Sequence, residues 1–368
     1  MKIFCRKSDL NRALSNVSHS VPTRTTTRIL EGILTEITND EMVLTSTDTN
    51  ITIETRIPIR SDETGSFVIP ARLFIGMVSK LPDEEIMLEF DEAKTVLKVT
   101  SGNFNAEIIC FKAEEFPKIK IEEKEEKIFI TKETIKKLIK KTSFSASIDE
   151  LNGVLTGVLV EIGEDNIKMV AVDTFRLAIY KAETKTDKEV SVIIPAKLIN
   201  QIAKIISDEN AEDMMSIEII DNKVVLKFDN NKVIVNTLSG NFIDYNRIIR
   251  KESEIEVRIN REELVRAIDR ASILTSTQNN NLIKLEISDK ELSINSLSDE
   301  GNITDKVSII KDGEDITIGF NSRYLNDALK AIDDEDIMIY LKDNVSPCII
   351  KSVDGEDYLY LILPVRIN

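Results

Sequence analysis

Apolar and polar residues follow the same pattern at three places along the chain. Each place has a short apolar run and then apolar residues at helical spacing, in VIPARLFIGMVSKL (68–81), IIPAKLINQIAKII (193–206) and FNSRYLNDALKAI (320–332). Pro70, Pro195 and Phe320 lie at successive intervals of 125 residues. The pattern predicts a strand followed by a helix in each segment. The positions predicted to be buried by the helices are Leu73, Met77 and Leu81; Leu198, Ile202 and Ile205; and Leu325, Leu329 and Ile332.

Two further features recur at about the same interval. Each repeat begins with a predicted amphipathic helix and a residue able to cap its first turn, which is Ser8, Thr131 or Asn260. An aspartate lies between two strand-like runs of each repeat, at Asp48, Asp173 and Asp299. These residues are predicted to form turns, because aspartate side chains accept hydrogen bonds from turn backbones. A role as acid–base residues or metal ligands is the alternative, but single carboxylates in separate domains do not form a shared site.

The repeated features predict three tandem domains in one chain of 368 residues. The segments between the helices are short, alternating or β-branched, and they are bounded by Asn, Asp and Gly, which is typical of antiparallel strands. The fold class is therefore predicted to be α+β, with two helices packed on antiparallel sheets in each domain. The predicted domains cover residues 1–121, 128–249 and 255–368, with solvated linkers at 122–127 and 250–254.

The composition excludes several classes of protein. No stretch has the roughly 18 consecutive apolar residues of a membrane span, and charges interrupt the region where a secretory signal would be apolar. The scattered Cys5, Cys110 and Cys348 predict reduced cytosolic thiols. The single histidine, His19, is predicted to be an ordinary surface or DNA-facing residue, and no nucleophile or phosphate-loop motif is present. No catalysis, metal or cofactor is expected.

The positive charge is concentrated on the predicted helices. The net charge of −16 at first argues against a nucleic-acid partner. However, fifteen Lys or Arg residues stand against five Asp or Glu residues in segments 2–28, 129–148 and 258–270. Basic residues on solvated helix faces explain the third segment equally well. Enrichment in all three segments favours a shared surface that attracts phosphate, and without a base-reading motif the contact would be independent of sequence.

The chain resembles the bacterial DNA polymerase III beta subunit family, the replicative sliding clamps, along its whole length. The resemblance is carried by VPTRTTTRIL (21–30), VIPARLF (68–74), LTGVLVEI (155–162), VAVDTFRLAIY (170–180), SGNFIDYNRII (239–249), RASIL (270–274) and the terminal LILPVRIN. The combination of Asp173, Arg176 and Leu177 with the LPVR tail at 363–366 is the most specific part.

The resemblance implies a head-to-tail homodimeric ring around double-stranded DNA, with the helices lining the hole. The residues expected at the dimer interface are Ala106 and Ile108 in the first domain and Ile273 and Leu274 in the third. From the basic helices and the resemblance together, the residues expected to contact DNA are Arg24, Arg72, Lys136, Lys137, Lys140 and Lys197. A cytoplasmic, nucleoid-associated protein is expected.

The resemblance also implies a pocket between the second and third domains that binds short linear peptides. The expected partners are the replicative DNA polymerase subunit, clamp-loader subunits, and other polymerases and repair proteins. The expected pocket residues are Leu155, Thr174, Phe175, Arg176, Leu177, Ile243, Arg247, Ile248, Asn321, Tyr324, Val345, Pro347, Leu361, Ile362, Leu363, Pro364, Val365 and Arg366. Arginines among the lining residues are expected to hold acidic or carbonyl groups of a peptide.

The sequence departs from the family pattern at a few positions. Ile243 stands where the family often has proline, and Thr174 and Phe175 stand where the family often has a small or histidine side chain, so the family pattern does not fix the peptide preference at this subsite. Asp149 falls where an uncharged polar residue is common in the family. The alternative function is a DNA-associated scaffold or regulator built from the same repeats without a ring, whose affinity for circular DNA would not depend on topology.

Overall fold

The computed structural model describes residues 1–367 apart from 83, 118–120, 122–125, 250–251 and 276–280. The predicted linkers fall partly outside the described residues, at 122–125 and 250–251. The α-helices of the described part are α1 (Lys7–Ser18), α2 (Ala71–Val78), α3 (Lys132–Thr142), α4 (Ala196–Ile205), α5 (Arg261–Thr275) and α6 (Ser322–Ala331). Two helices therefore occur in each repeat, as the sequence pattern predicts.

The rest of each repeat is largely β-structure. The first repeat contains β1 (Lys2–Arg6), β2 (Gly32–Ile37), β3 (Glu41–Thr47), β4 (Ile51–Pro58), β5 (Arg60–Ser61), β6 (Gly65–Pro70), β7 (Glu85–Asp91), β8 (Val96–Ser101), β9 (Phe104–Ile109) and β10 (Phe111–Lys112). The second contains β11 (Ile128–Thr131), β12 (Gly157–Ile162), β13 (Asn166–Val172), β14 (Arg176–Glu183), β15 (Val190–Pro195), β16 (Met214–Ile220), β17 (Lys223–Phe228) and β18 (Asn231–Asn236). The third contains β19 (Ile255–Asn260), β20 (Leu282–Ser288), β21 (Glu291–Ser298), β22 (Gly301–Asp312), β23 (Ile316–Asn321), β24 (Asp336–Leu341), β25 (Cys348–Ser352) and β26 (Tyr358–Ile362).

The chain forms two compact units, and the middle repeat contributes to both. The first unit comprises 1–133 and 201–237, and the second comprises 134–200 and 238–368. The first unit holds a five-stranded sheet, β5-β1-β7-β8-β9, and a nine-stranded sheet, β10-β6-β2-β3-β4-β18-β17-β16-β11. The second holds a twelve-stranded sheet, β15-β12-β13-β14-β26-β25-β24-β19-β22-β21-β20-β23. All strand pairs given for these sheets are antiparallel, as predicted.

The large sheets are continuous because strands of neighbouring repeats pair with one another. In the first unit β4 pairs with β18, with Ile51 opposite Val235. In the second unit β14 pairs with β26 in the equivalent way, with Leu177 opposite Leu361. Backbone hydrogen bonds therefore cross both repeat boundaries, which explains why the compact units do not coincide with the repeats.

The buried helix faces agree with the prediction in two of the three repeats. Leu198, Ile202 and Ile205 of α4 are buried, as are Leu325 and Leu329 of α6. In the first repeat the prediction holds for Leu81, which is buried just beyond α2, but not within α2, where the buried residues are Ala71, Phe74 and Val78. The side chain of Leu73 is 54% exposed, since the core-facing stripe is one position further along the helix.

Predicted capping and turn residues also differ between repeats. The Oδ1 atom of Asn260 accepts a hydrogen bond from the backbone N–H of Glu263 (3.1 Å), as a helix cap does. Ser8 lies inside α1, which follows the extended residue Arg6 without a side-chain cap, so its predicted capping role is wrong. In the third repeat the backbone of the turn after β21 donates to Ser298 Oγ, and no such bond is given for Asp299 within the described residues.

None of the helices in the described part is long and apolar enough to cross a membrane.

Candidate functional site

The turn between β13 and β14 shapes the candidate pocket. Oδ1 of Asp173 accepts hydrogen bonds from the backbone N–H groups of Phe175 (2.7 Å) and Arg176 (2.9 Å). Asp48 makes the same pair of bonds in the first repeat, so the turn role predicted for both aspartates is confirmed. The tight turn leaves the ring of Phe175 half exposed, while the side chain of Arg176 is only 9% exposed.

The guanidinium of Arg176 makes three hydrogen bonds below the pocket surface. Its Nε donates to Asp173 (3.0 Å), one terminal nitrogen donates to Asp327 on α6 (2.6 Å), and the other donates to the carbonyl oxygen of Phe144 (2.6 Å). The group also lies 4.5 Å from the ring centroid of Tyr324. Arg176 therefore holds α6 beside β14 with three of its five N–H groups, and its side chain, which is 9% exposed, presents little surface to a peptide.

The floor of the pocket is apolar and is shared by β14 and β26. Side chains alternate along β26, so Leu359, Leu361 and Leu363 lie on the same face as Leu177. This face forms one cluster with other residues predicted to line the pocket, which are Leu155, Ile243 and Ile248. Ile362 points to the opposite face, into the core of the third repeat, with 1% of its surface exposed. Its assignment to the pocket lining is therefore wrong.

Two aromatic rings form the wall beside this floor. Phe175 and Tyr324 stack with their ring centroids 5.9 Å apart. The backbone N–H of Leu363 donates to the carbonyl oxygen of Phe175 (2.8 Å), and that of Val365 donates to Gly319 (2.8 Å). The C-terminal segment is thus held on both sides as it leaves β26. A leucine floor and an aromatic wall can receive apolar side chains of an extended peptide.

The remaining predicted pocket residues surround this floor and wall. Thr174, Val345, Val365, Arg247 and Arg366 are exposed, whereas Pro347 and Pro364 are half-buried. The side chain of Arg247 is 87% exposed and pairs with Asp244 at 2.8 Å. Asn321 caps α6, because its Oδ1 accepts from the backbone N–H of Arg323 (3.0 Å). Arg247 and Arg366 are therefore the exposed arginines among the predicted lining residues.

The lysines of α3 serve different roles. Lys132 is 1% exposed, and its Nζ lies 2.9 Å from Asp229 and 3.6 Å from Asp213. Lys141 is 7% exposed, pairs with Asp333 at 3.0 Å and lies 4.9 Å from the ring centroid of Tyr180. These two lysines are structural, so they cannot contribute to a phosphate-attracting surface. Lys137 and Lys140 are exposed and Lys136 is partly buried.

The arginines of the third repeat are also largely neutralised. Arg258 pairs with Asp336, Arg266 with Glu262 and Arg270 with Asp305, while Arg261 donates to the carbonyl oxygen of Asp334. Three of the four arginines in this segment therefore have acidic partners within the third repeat. Arg24, Arg72 and Lys197 are exposed, and no ion pair is found for them among the described residues. Arg72 and Lys197 are both the second residue of their helix, at the 125-residue interval.

The apolar residues expected at a dimer interface are only partly on the surface. Ala106 is half-buried, Ile273 is 64% exposed and Leu274 is partly buried. Ile108 is 1% exposed and faces the core, so its side chain offers no surface to a second chain. Phe104 and Ile109 are the exposed large apolar side chains on β9, at 38% and 76%. The sequence could not distinguish Ile108 from Ile109, because two consecutive isoleucines hide the alternation of the strand.

The chain matches known proteins over its full length. Family models of the DNA polymerase III beta subunit match as its N-terminal domain at 1–120, its central domain at 129–244 and its C-terminal domain at 246–366. The beta sliding clamp of Staphylococcus epidermidis is 32% identical, over 100% of this chain and 99% of that protein. That of Staphylococcus aureus is 33% identical, over 96% of each chain.

Solved structures show the same likeness. A DNA polymerase sliding clamp from Bacillus subtilis has a TM-score of 0.96 at 30% identity, and a putative DNA polymerase III beta subunit from Eubacterium rectale has 0.94 at 33%. Each covers 100% of both chains. The chain therefore belongs to the DNA polymerase III beta subunit family, whose function is that of a DNA sliding clamp.

Proposed function

We propose that two copies of this chain close head to tail into a ring around double-stranded DNA, and that the ring tethers partner proteins without catalysing a reaction. The observation that carries the proposal is the arrangement of paired and unpaired strand edges. β4 pairs with β18, and β14 pairs with β26, so equivalent strands meet at each repeat boundary. In the third repeat the strand equivalent to β4 and β14 is β22, and in the first repeat the strand equivalent to β18 and β26 is β9. The next pair of this kind would therefore join the first half of β22 to β9.

These two edges lack that pairing within the chain. Among the described strands, β9 pairs only with β8, and residues 301–308 of β22 pair only with β21. Exposed strand edges favour pairing with another chain. In a head-to-tail dimer, β9 of each copy meets β22 of the other, and this heterologous contact closes once both edges are used. Apolar side chains near these edges support the same contact. They are Phe104 and Ala106 on one face of β9, Ile109 on its other face, and Ile273 and Leu274 on α5.

The DNA contacts in this proposal are electrostatic. Exposed Arg24, Arg72 and Lys197 carry charge that no described ion pair neutralises, and Lys136, Lys137 and Lys140 lie on α3. Contacts of Lys and Arg with phosphates are independent of base sequence and weaken with salt. The whole chain has a net charge of −16, so the surface outside these basic residues is acidic and disfavours DNA binding. Encirclement and not tight binding would therefore retain the DNA.

Partner proteins would bind through the leucine floor and aromatic wall described above. An extended segment with two spaced leucine or phenylalanine side chains fits an apolar floor of this kind, and exposed Arg247 can bind its acidic or carbonyl groups. The chemistry suits short motifs of a replicative polymerase, of clamp-loader subunits and of repair proteins in the bacterial cytoplasm. The ring itself supplies topology and docking, with no catalytic step.

The deciding experiment tests topology. The protein is loaded onto nicked circular DNA with a clamp loader, free protein is removed by gel filtration, and half of the sample is cut once with a restriction enzyme. A ring is retained on the circle and lost after cutting. Equal retention on both forms would overturn the ring and favour a scaffold that binds DNA without encircling it. The matched control is Ile109→Asp, which should be retained on neither form because the seam cannot close.

A further inference from the structure

We call the sheet face that carries the pocket floor the pocket face. Among the described residues, its apolar side chains form one continuous cluster in the middle repeat and smaller, separate clusters in the first. The first repeat has an equivalent face, because its strands have the same order and pairing. Leu177 lies opposite Leu361, and its equivalent Thr52 lies opposite Ile234. The boundary between the first and second repeats can therefore be compared, position by position, with the pocket at the second boundary.

The backbone at the two boundaries is the same. At the pocket, the N–H of Leu363 donates to the carbonyl oxygen of Phe175 (2.8 Å). At the first boundary, the N–H of Asn236 donates to the carbonyl oxygen of Asn50 (2.9 Å). The aspartate turns before β4 and β14 also match, as described above. The first boundary thus has the backbone of a peptide groove.

The side chains on the pocket face differ in a consistent direction. Six apolar residues at the pocket have polar or charged counterparts at the first boundary. Val170, Val172, Leu177, Ile179, Leu359 and Leu363 correspond to Thr45, Thr47, Thr52, Glu54, Lys232 and Asn236, respectively. Two other positions are apolar at both boundaries. Leu159 and Leu361 at the pocket correspond to Leu34 and Ile234 at the first boundary.

These replacements divide the apolar surface. The pocket face of the middle repeat is a single cluster that runs from Leu159 to Leu361. At the first boundary the described residues form two separate clusters, one around Leu34 and Val68 and one around Ile234. The threonines lie between them, where Thr52 Oγ1 donates to Thr47 Oγ1 (2.8 Å). Both threonines are buried and their hydroxyl groups are already hydrogen-bonded, so they give this part of the face a polar floor where the pocket has Val172 and Leu177. A leucine or phenylalanine of a peptide gains less apolar contact on such a floor than on the leucine floor of the pocket.

The third repeat also has polar side chains at two of these positions. Asn295 stands at the interval of 125 residues from Val170, and Thr304 stands at the same interval from Ile179. The hydroxyl of Thr304 donates to Oδ1 of Asn295 (2.7 Å) across β21 and β22. Polar side chains at these positions are therefore the ordinary state of the repeat, and the apolar middle repeat is the exception.

We propose that the first boundary is a silent copy of the peptide groove, and that the six side chains listed above decide which boundary binds an apolar peptide. The inference rests on the proposed function, because it assumes that the pocket binds such peptides. The consequence is that each chain binds one peptide. The backbone is suited to a groove at both repeat boundaries, and the side chains restrict binding to the second.

The test grafts the apolar side chains onto the first boundary. The variant carries Thr45→Val, Thr47→Val, Thr52→Leu, Glu54→Ile, Lys232→Leu and Asn236→Leu. Its stoichiometry is measured by isothermal titration with a synthetic peptide that contains glutamine and two spaced leucine or phenylalanine residues. The wild type should bind one peptide per chain and the graft two. A folded graft that still binds one peptide would overturn the inference, with folding checked by circular dichroism.

A reverse variant decides the matter if the graft does not fold. Leu177→Thr with Leu363→Asn gives the pocket the polar side chains of the first boundary. We expect peptide affinity to fall by about 100-fold or more, because two large apolar contacts are lost. Wild-type affinity in this variant, or two peptides per wild-type chain, would contradict the inference. A wild-type chain that binds no peptide would instead overturn the peptide groove of the proposed function, while the topology experiment would still test the ring.

Discussion

A terminal guanidinium nitrogen of Arg176 lies 2.6 Å from Oδ2 of Asp327, and this contact joins the start of β14 to α6. The two residues belong to different repeats, 151 positions apart. The contact brings Phe175 and Tyr324 into one aromatic wall, because Phe175 precedes Arg176 and Tyr324 is one helical turn before Asp327. The geometry of the pocket wall therefore depends on an ion pair that a peptide would not touch.

Replacing Asp327 with asparagine should loosen the pocket wall. The substitution leaves one donor of nearly buried Arg176 without its carboxylate, at a cost of about 1–3 kcal/mol. We expect weaker peptide binding in fluorescence anisotropy with little change in assembly. The control is Asp269→Asn, which removes an exposed carboxylate paired with Lys330. Equal effects of the two substitutions on peptide affinity would contradict the positioning role.

Asp333 should make stability depend on pH in the acid range. Burial raises the pKa of this carboxyl, but hydrogen bonds from Lys141 and Lys140 lower it, and the net pKa lies below the ordinary value. The stabilisation is therefore present above the unfolded pKa of about 4 and is lost as pH falls through the lower folded pKa.

The measurement compares the Tm of the wild type with that of Asp333→Asn between pH 7 and pH 3. The difference should be largest near neutrality and should shrink as pH falls below about 4, because the carboxyl of the unfolded wild-type chain then takes up a proton before that of the folded protein. Asp289→Asn serves as the control, since Asp289 is exposed and has no ion pair among the described residues. A difference in Tm that stays constant over this range would rule out the mechanism.

Neighbouring isoleucines of β9 should have opposite effects. Ile109→Asp places a charge at the proposed seam and should yield monomers in analytical ultracentrifugation with a nearly unchanged Tm. Ile108→Ala should leave assembly intact but cost about 2–4 kcal/mol of folding stability, because it creates a cavity in the core. Dimers from the aspartate variant would show that the seam lies elsewhere, and monomers from a folded alanine variant would place the side chain of Ile108 at the seam.

Exposed and buried basic residues should differ in their effect on DNA binding. Arg72→Ala and Lys197→Ala should each reduce the slope of log affinity against log salt by about 0.9, the value for one lost phosphate contact. Lys132→Met should leave the slope unchanged and lower the Tm, because Lys132 is buried between Asp213 and Asp229. A change of slope in Lys132→Met would place this lysine at the DNA.

The repeat pattern predicted the fold well, because it depends on features that are local in the sequence. The interval between Pro70 and Pro195 was sufficient to locate equivalent strand–helix units. Side-chain direction was less predictable wherever apolar residues are consecutive, since a shift of one residue reverses the face of a strand. Ile108 and Ile362 were misassigned for this reason.

The burial of charge and the pairing between repeats could not be read from the sequence. Lys132 and Lys141 look like surface lysines of a basic helix, but acidic partners distant in sequence hold them in the interior. The involvement of Arg176 with Asp327 is hidden in the same way. Such contacts are set by which strands meet, and the pairings of β4 with β18 and of β14 with β26 leave no local pattern.

The continuity of the sheets across repeat boundaries has a consequence for dissecting the molecule. If the middle repeat were excised at its linkers, β18 would lose β4 on one side and β14 would lose β26 on the other. The backbone N–H and C=O groups along one edge of each strand would lose their hydrogen-bonding partners, and such exposed strand edges promote aggregation. The segment that recurs in the sequence is thus not a segment that can be expressed alone, and truncation studies need to cut where hydrogen bonding ends.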